Sequence, residues 1–335
     1  MNQQLRKIVE KTTREAEKTT LNPFFDTFSA DRLAREYNLC EWSIGPLERL
    51  DELTFEKKTC WHGPWNIGWD SRALHNAALI EKDDALYMFY PCNPTMESLA
   101  SRIGLAIYRE KTGWVDWKDN PLIYCTEPHE ALASSDPKIY KAEGKYFLFY
   151  QAEFPPTDED RARYMSSSLL IGPVGTETSV AVSDDLIHWE KKGSIIFREI
   201  SRLWAKGSVI LRAANGEAVR INRKYMMFVS DGCGSEHNQA IGYSDDMLHW
   251  EFHLETYLDP SPIGRRVFEV MWVAMESSES DHMIMDFFYD GGSGISCAAQ
   301  ALYKTSEPTK QVELNRGGTL NAGGILKYRG RWMHA

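Results

Sequence analysis

Trp69-Asp70-Ser71-Arg72-Ala73-Leu74-His75-Asn76-Ala77-Ala78-Leu79-Ile80, followed by Leu86-Tyr87-Met88-Phe89-Tyr90, decides the reading of this chain. It sets a polar cluster before an apolar strand, a turn at Asp83-Asp84 and an aromatic strand. The phrase returns at Ser135-Asp136-Pro137-Lys138-Ile139-Tyr140 with Tyr146-Phe147-Leu148-Phe149-Tyr150. It returns again at Trp204-Ala205-Lys206-Gly207-Ser208-Val209-Ile210 with Tyr225-Met226-Met227-Phe228. A fourth copy is Phe268-Glu269-Val270-Met271-Trp272-Val273 with Met283–Tyr289, and a fifth is Gly323-Gly324-Ile325-Leu326 with Arg331-Trp332-Met333-His334.

Hairpins repeating at about 40–50 residues predict the blades of a propeller. The expected fold is all-β: a five-bladed β-propeller with a short N-terminal helical extension. Leu5, Ile8 and Val9 keep helical spacing among charged residues, and Leu21-Asn22-Pro23 ends that helix. Residues 1–40 are therefore expected to be a helical arm and 41–335 the propeller domain. The last repeat has only two strands, so strand-like residues in 42–55 are expected to close the last blade and remove its exposed edge.

A second signature belongs to the outer strands. Ala181-Val182-Ser183-Asp184-Asp185-Leu186-Ile187-His188-Trp189-Glu190 is nearly repeated by Gly242-Tyr243-Ser244-Asp245-Asp246-Met247-Leu248-His249-Trp250-Glu251. The Ser-Asp-Asp stretch predicts a turn bonded to its own backbone, with the Trp packed between blades. The Asp and His residues in it are assigned to structure rather than catalysis.

Net charge is -10, which disfavours nucleic acid and anionic membrane as partners. Six scattered cysteines form no C-x-x-C pair, and no secretory apolar segment opens the chain, so a reducing, cytoplasmic setting is expected. No run approaches the ~20 apolar residues of a membrane helix. The 11 Trp, 15 Tyr and 14 Phe suit sheet packing and also suit stacking on sugar rings.

The repeats resemble the five-bladed β-propeller glycosidases of glycoside hydrolase families 32, 43, 68, 117 and 130. The two Ser-Asp-Asp-…-His-Trp-Glu strands match that blade signature. Ser135-Asp136-Pro137-Lys138-Ile139 with Gly144–Tyr150 is similar to their second blade, and Ala78-Leu79-Ile80 through Phe89-Tyr90-Pro91-Cys92-Asn93-Pro94 to the first blade of the fructan-acting family. The chain departs from the family pattern in two places. His75 stands where the fructan-acting family carries its catalytic aspartate, the nearest acid being Asp70, and the third blade has Trp204-Ala205-Lys206-Gly207 where an acid is usual.

In such a fold the first residues of each inner strand gather at the channel mouth. Hydrolysis of a glycosidic bond needs one protonated and one ionised carboxyl group there. Asp136, Glu269 and Asp70 are the candidate catalytic acids. The resemblance implies that Asp136 orients the sugar and tunes the acid. Glu269 lies in an apolar strand, and burial raises a carboxyl pKa, which suits a general acid. Asp70 is the candidate base or nucleophile. His75, Asn76, Trp204, Lys206, Asp231, His237 and Asp290 are candidate substrate contacts, and Lys206 would favour an anionic group or phosphate.

The function expected is an exo-acting glycoside hydrolase on a short oligosaccharide. Alternatives are a glycoside phosphorylase using phosphate and a sugar-binding propeller without catalysis. No cofactor is required, although a structural metal ion is compatible with the channel. A homo-oligomer through the helical arm is a further expectation.

Overall fold

The computed structural model describes residues 40–45, 47, 50–57, 73–93, 101–164, 174–196, 198–203, 208–230, 239–291, 296–319 and 323–335. The helical arm expected over 1–40 therefore lies outside the described residues, apart from Cys40. Sheet after sheet repeats one antiparallel meander, with the first strand innermost. Blade one is β1 (Ala73–Leu74), β2 (Ala78–Lys82), β3 (Ala85–Asn93), β4 (Arg102–Arg109) and β5 (Gly113–Asp116). Here β1 and β2 are two pieces of one inner strand, both paired with β3. Blade two is β6 (Ala133–Ala142), β7 (Lys145–Phe154), β8 (Gly175–Ser183) and β9 (Glu190–Ile196).

Blade three starts with β10 (Ser208–Ile210). The chain then crosses to the next sheet as β11 (Arg212–Ala213) and returns through β12 (Arg220–Ile221), β13 (Lys224–Ser230), β14 (Gln239–Ser244) and β15 (Glu251–Leu254). Blade four is β16 (Val267–Met275), β17 (His282–Asp290), β18 (Ser296–Lys304) and β19 (Glu307–Arg316), with β11 added in parallel to the edge of β16. A last sheet has only β20 (Leu326–Tyr328) and β21 (Arg331–Met333).

The described residues thus form four blades rather than the five expected, and the expected closing strands are absent among them. Of residues 40–57, those described contain one short 3-10 turn, Asp51–Leu53, and no strand. The segment closes the ring by side-chain packing instead. Ile44 joins Met271, Trp272 and Ile325 between blade four and the last sheet, with Leu47 and Trp332 against them. Phe55 packs with Tyr90, Trp114, Leu326 and Met333 between the last sheet and blade one. The indole of Trp114 donates to the Leu53 carbonyl at 2.8 Å. Pairing needs two free backbone edges in register, whereas apolar packing is non-directional and tolerates the irregular path of this segment.

The blades are joined by three further apolar layers, one between each neighbouring pair. The repeated outer signature does what its chemistry predicts. Asp185 accepts the backbone N–H groups of Ile187 and His188 at 2.8 Å each, and Asp246 accepts those of Leu248 and His249 at 2.9 and 2.8 Å. Slight burial would raise both carboxyls, but these donors outweigh it and hold both well below the usual carboxylate range. Leu186 and Met247, at φ 73 and 68, turn the chain so that Trp189 meets Phe89 of blade one edge-on and Trp250 meets Phe149 of blade two.

Two tight contacts govern closure. A Cβ on Gly323 would lie 1.7 Å from the Ala77 carbonyl oxygen, so the last sheet leans directly on the backbone that leads into β2. The Gln300 side chain accepts from the Ile44 N–H at 2.9 Å and donates to its carbonyl at 2.9 Å and to Asp286 Oδ2 at 3.0 Å. Asp286 is fully buried, and burial raises its pKa to about 7 against the pull of the Gln300 and Thr319 donors. Gly323→Ala is expected to cost about 3 kcal/mol through overpacking, measured by urea denaturation. Asp286 holds its proton more tightly folded than unfolded, so its contribution to stability is full at low pH and is lost as pH rises through about 7. The Tm of Asp286→Asn should therefore gain on that of the parent between pH 5 and pH 8, and equal pH profiles would contradict the assignment.

Candidate functional site

Three of the four blades' inner strands share one irregularity near their N-terminal ends. In blade one, three residues, 75–77, span the gap opposite Tyr90 and Pro91, between the pairs Leu74–Cys92 and Ala78–Phe89. In blade two, Asp136 and Pro137 stand opposite Tyr150 alone, between Ser135–Gln151 and Lys138–Phe149. In blade four, Phe268 is the extra residue between Val267–Tyr289 and Glu269–Phe288. Each is a one-residue bulge, which bends the strand and re-aims a side chain off the ladder.

The first two bulges meet. Asn76 and Asp136 both adopt left-handed backbone, with φ 45 and 44. The amide Nδ2 of Asn76 donates to Asp136 Oδ1 at 2.6 Å, and His75 Nδ1 lies 4.0 Å from the same oxygen. Asp136 is only 4% exposed, whereas His75 and Asn76 are half-buried. A non-glycine residue in this conformation costs about 1–3 kcal/mol and persists where surrounding structure enforces it. Pro137 does not favour this conformation, since a proline drives the residue before it to extended backbone, so the surrounding contacts hold Asp136 in place.

Two carboxylates on blade two were missed by the sequence reading. Glu153 is fully buried behind the bulge and accepts from Ser135 Oγ at 2.8 Å. Glu177 accepts from Ser194 Oγ at 2.6 Å and from Arg198 Nε at 3.0 Å. Arg198 lies in α2 (Arg198–Ser201) and also donates to Asp160 Oδ1, at 2.7 Å, in α1 (Asp158–Tyr164), so one guanidinium fixes both short helices to the rim. Its face covers the Phe154 ring at 4.5 Å. The signal was available: Gln151-Ala152-Glu153 and Thr176-Glu177-Thr178 are polar runs inside otherwise apolar strands, and buried charge demands a partner.

Of the other predicted residues, Glu269 is half-buried at the blade-four bulge, at the same end as Asp136. Asp290 is the last residue of β17. Its backbone bonds to Arg265 and Arg266, and its carboxylate lies 4.0 Å from Arg266 Nε. Asp70, Trp204, Lys206, Asp231 and His237 lie outside the described residues. Among the described residues no three His, Cys, Asp or Glu side chains gather as a metal site.

No family model matches the chain. A 1,2-beta-oligomannan phosphorylase from Thermoanaerobacter sp. (strain X514) is 24% identical over 199 residues, a match spanning 58% of this chain and 56% of the relative's length. A glycosyl hydrolase from Bacteroides ovatus has a TM-score of 0.67 at 19% identity, covering 89% of this chain and 91% of that one. A structure from work on the GH130 family of mannoside phosphorylases, described as containing glycoside hydrolases that target beta-1,2 mannosidic linkages in Candida mannan, has a TM-score of 0.65 at 19% identity over 89% and 92%. Beta-1,2-mannobiose phosphorylase from Listeria innocua has a TM-score of 0.51 at 12% identity over 76% and 83%. The fold is the β-propeller shared with these solved structures. If backbone strain is stored at Asp136, Asp136→Gly should be more stable than Asp136→Ala by about 1 kcal/mol. Equal denaturation midpoints for the two variants would rule the strain out.

Proposed function

We propose that this protein breaks the glycosidic bond of a short oligosaccharide, with β-1,2-linked mannosides the first substrates to test. The observation that carries the reading is the bonded pair of left-handed residues, Asn76 and Asp136, at bulges of two adjacent inner strands. Structure of this kind is expensive to hold, and it serves to fix one carboxylate in one orientation. Asp136 then grips the sugar hydroxyls, and Glu269 gives its proton to the departing oxygen as the bond from the anomeric carbon breaks. In hydrolysis a water oxygen bonds to that carbon, and Asp70 or His75 takes the water's proton.

The second reading is phosphorolysis, in which a phosphate oxygen bonds to the anomeric carbon in place of water. The similarity to a 1,2-beta-oligomannan phosphorylase favours it. A phosphate anion is itself a nucleophile, so this route asks for one acid and no base, which fits a mouth in which His75 replaces the usual aspartate.

Incubation with β-1,2-mannobiose, with and without phosphate, separates the readings by product. Free mannose without phosphate identifies the hydrolase, and mannose 1-phosphate formed only with phosphate identifies the phosphorylase. Asp136→Asn and Glu269→Gln are each expected to lower kcat/KM by about 10²–10⁴. Binding without product across neutral and acidic oligosaccharides would leave the non-catalytic propeller standing instead.

A further inference from the structure

A cleft of about 500 Å³ opens at the far end of blade four. It lies beside Ala274, Met275 and Glu276, the C-terminal end of β16 and the residue after it, whereas Glu269 lies near the start of that strand. Six residue-to-residue steps of strand lead from Glu269 to Met275, about 20 Å along the chain. The cleft is therefore distinct from the His75–Asp136 cluster. It is built from the segment before blade one, the hairpin of β16 and β17 with its turn, Leu302 of β18, and Trp332 of the last sheet.

Two indoles line it, Trp42 and Trp332, both half-buried. Trp42 is held by its ring N–H, which donates to Glu313 Oε2 at 3.0 Å. Lys327 steadies the Trp332 side, with Nζ 5.7 Å from the ring centroid and 2.5 Å from Glu276 Oε1. Around the indoles stand the exposed carboxylates of Glu41, Glu276 and Asp281, with the half-buried His282 ring bonded to Asp281 at 2.6 Å.

This chemistry selects its occupant. Aromatic faces accept the apolar face of a pyranose, and carboxylates accept hydrogen bonds from its hydroxyls. Lys327 offsets the charge of Glu276, which leaves Glu41 and Asp281 to disfavour phosphate, sulfate and uronate groups. Apolar walls with a few placed polar groups form the usual lining of a small-molecule site. We infer that this cleft is a second carbohydrate site, binding neutral oligosaccharides at a distance from the channel mouth. It does not rest on the catalytic reading, because neither Asp136 nor Glu269 lines it.

Hydroxyl-radical footprinting of the full chain locates the occupant directly. The probes are β-1,2-mannotriose, cellotriose and maltotriose at about 10 mM, well above the ~1 mM dissociation constant of a weak site, with trigalacturonate as the acidic control. At least one neutral trisaccharide should protect Trp42 and Trp332 from oxidation several-fold, and the acidic one should not. Asp281 sits in an exposed turn, so Asp281→Ala keeps the fold. That variant and Trp332→Ala should each weaken the protection constant about tenfold, with oxidation near His75 unchanged. Unchanged oxidation of both indoles with all three neutral probes would overturn the assignment, as would equal protection by trigalacturonate.

Discussion

The crossover at 211–219 is the contact on which the ring depends. Within nine residues of chain it reaches every other sheet of the propeller, blade one included, where Gly216 lies against the Ile80 side chain. It leaves β10 of blade three and pairs in parallel with β16 of blade four. It bridges Lys141 of blade two through Glu217, and the Ala214 carbonyl accepts the Lys327 N–H of the last sheet at 2.7 Å. Arg212 sits at its centre, 2% exposed, and donates Nη1 to the Ile139 carbonyl of blade two at 3.2 Å. Gly324 leaves room for that guanidinium, since a Cβ there would come within 3.2 Å of it. Burial lowers the Arg212 pKa to about 10, so the side chain stays cationic at neutral pH while the backbone around it is held in place.

Closing the far end of the channel in this way releases the near end. The inner strands are tied at their C-terminal ends by the crossover, the last sheet and the inter-blade layers. Their N-terminal ends can then carry bulges, and β16 takes a second one further along, at Met271. Three of these ends do, and His75, Asn76, Asp136 and Glu269 all lie at or beside the inserted residue. The same logic explains why the ring tolerates an incomplete last sheet. Ile44, Phe55 and Trp332 supply apolar area between blade four and blade one, and area rather than pairing is what closure requires there.

The fold was legible because its signals repeat and are local. A hairpin needs alternating apolar residues and a turn. The Ser-x-Asp turn needs one hydroxyl and one carboxylate within three residues, as Ser183 and Asp185 show. The closing segment was misread because Trp42, Ile44 and Phe55 have strand-like composition, and composition does not distinguish pairing from packing. Asp136 was legible from its place before Pro137 in a repeated phrase. Its partner Asn76 was placed at the mouth, but the bond between the two was not readable, because it joins positions 60 apart in the chain. Glu153 and Glu177 escaped because the repeat directed attention to inner strands, and these acids lie on the second and third strands of blade two.

Fold and chemistry are therefore written in different parts of each blade. The turn signature lies between the third and fourth strands, where Trp189 and Trp250 lock one blade to the blade before it. The reactive candidates lie at the start of the first strand, where the backbone leaves the ladder. A substitution at the signature disturbs packing between two blades, whereas a substitution at the bulge changes one side chain over the channel. That separation lets His75 and Asn76 stand at the blade-one bulge while the two Ser-x-Asp turns among the described residues are kept. The likeness in blades therefore carries the fold but no reaction, because the candidate residues lie where the blade pattern does not dictate the side chain.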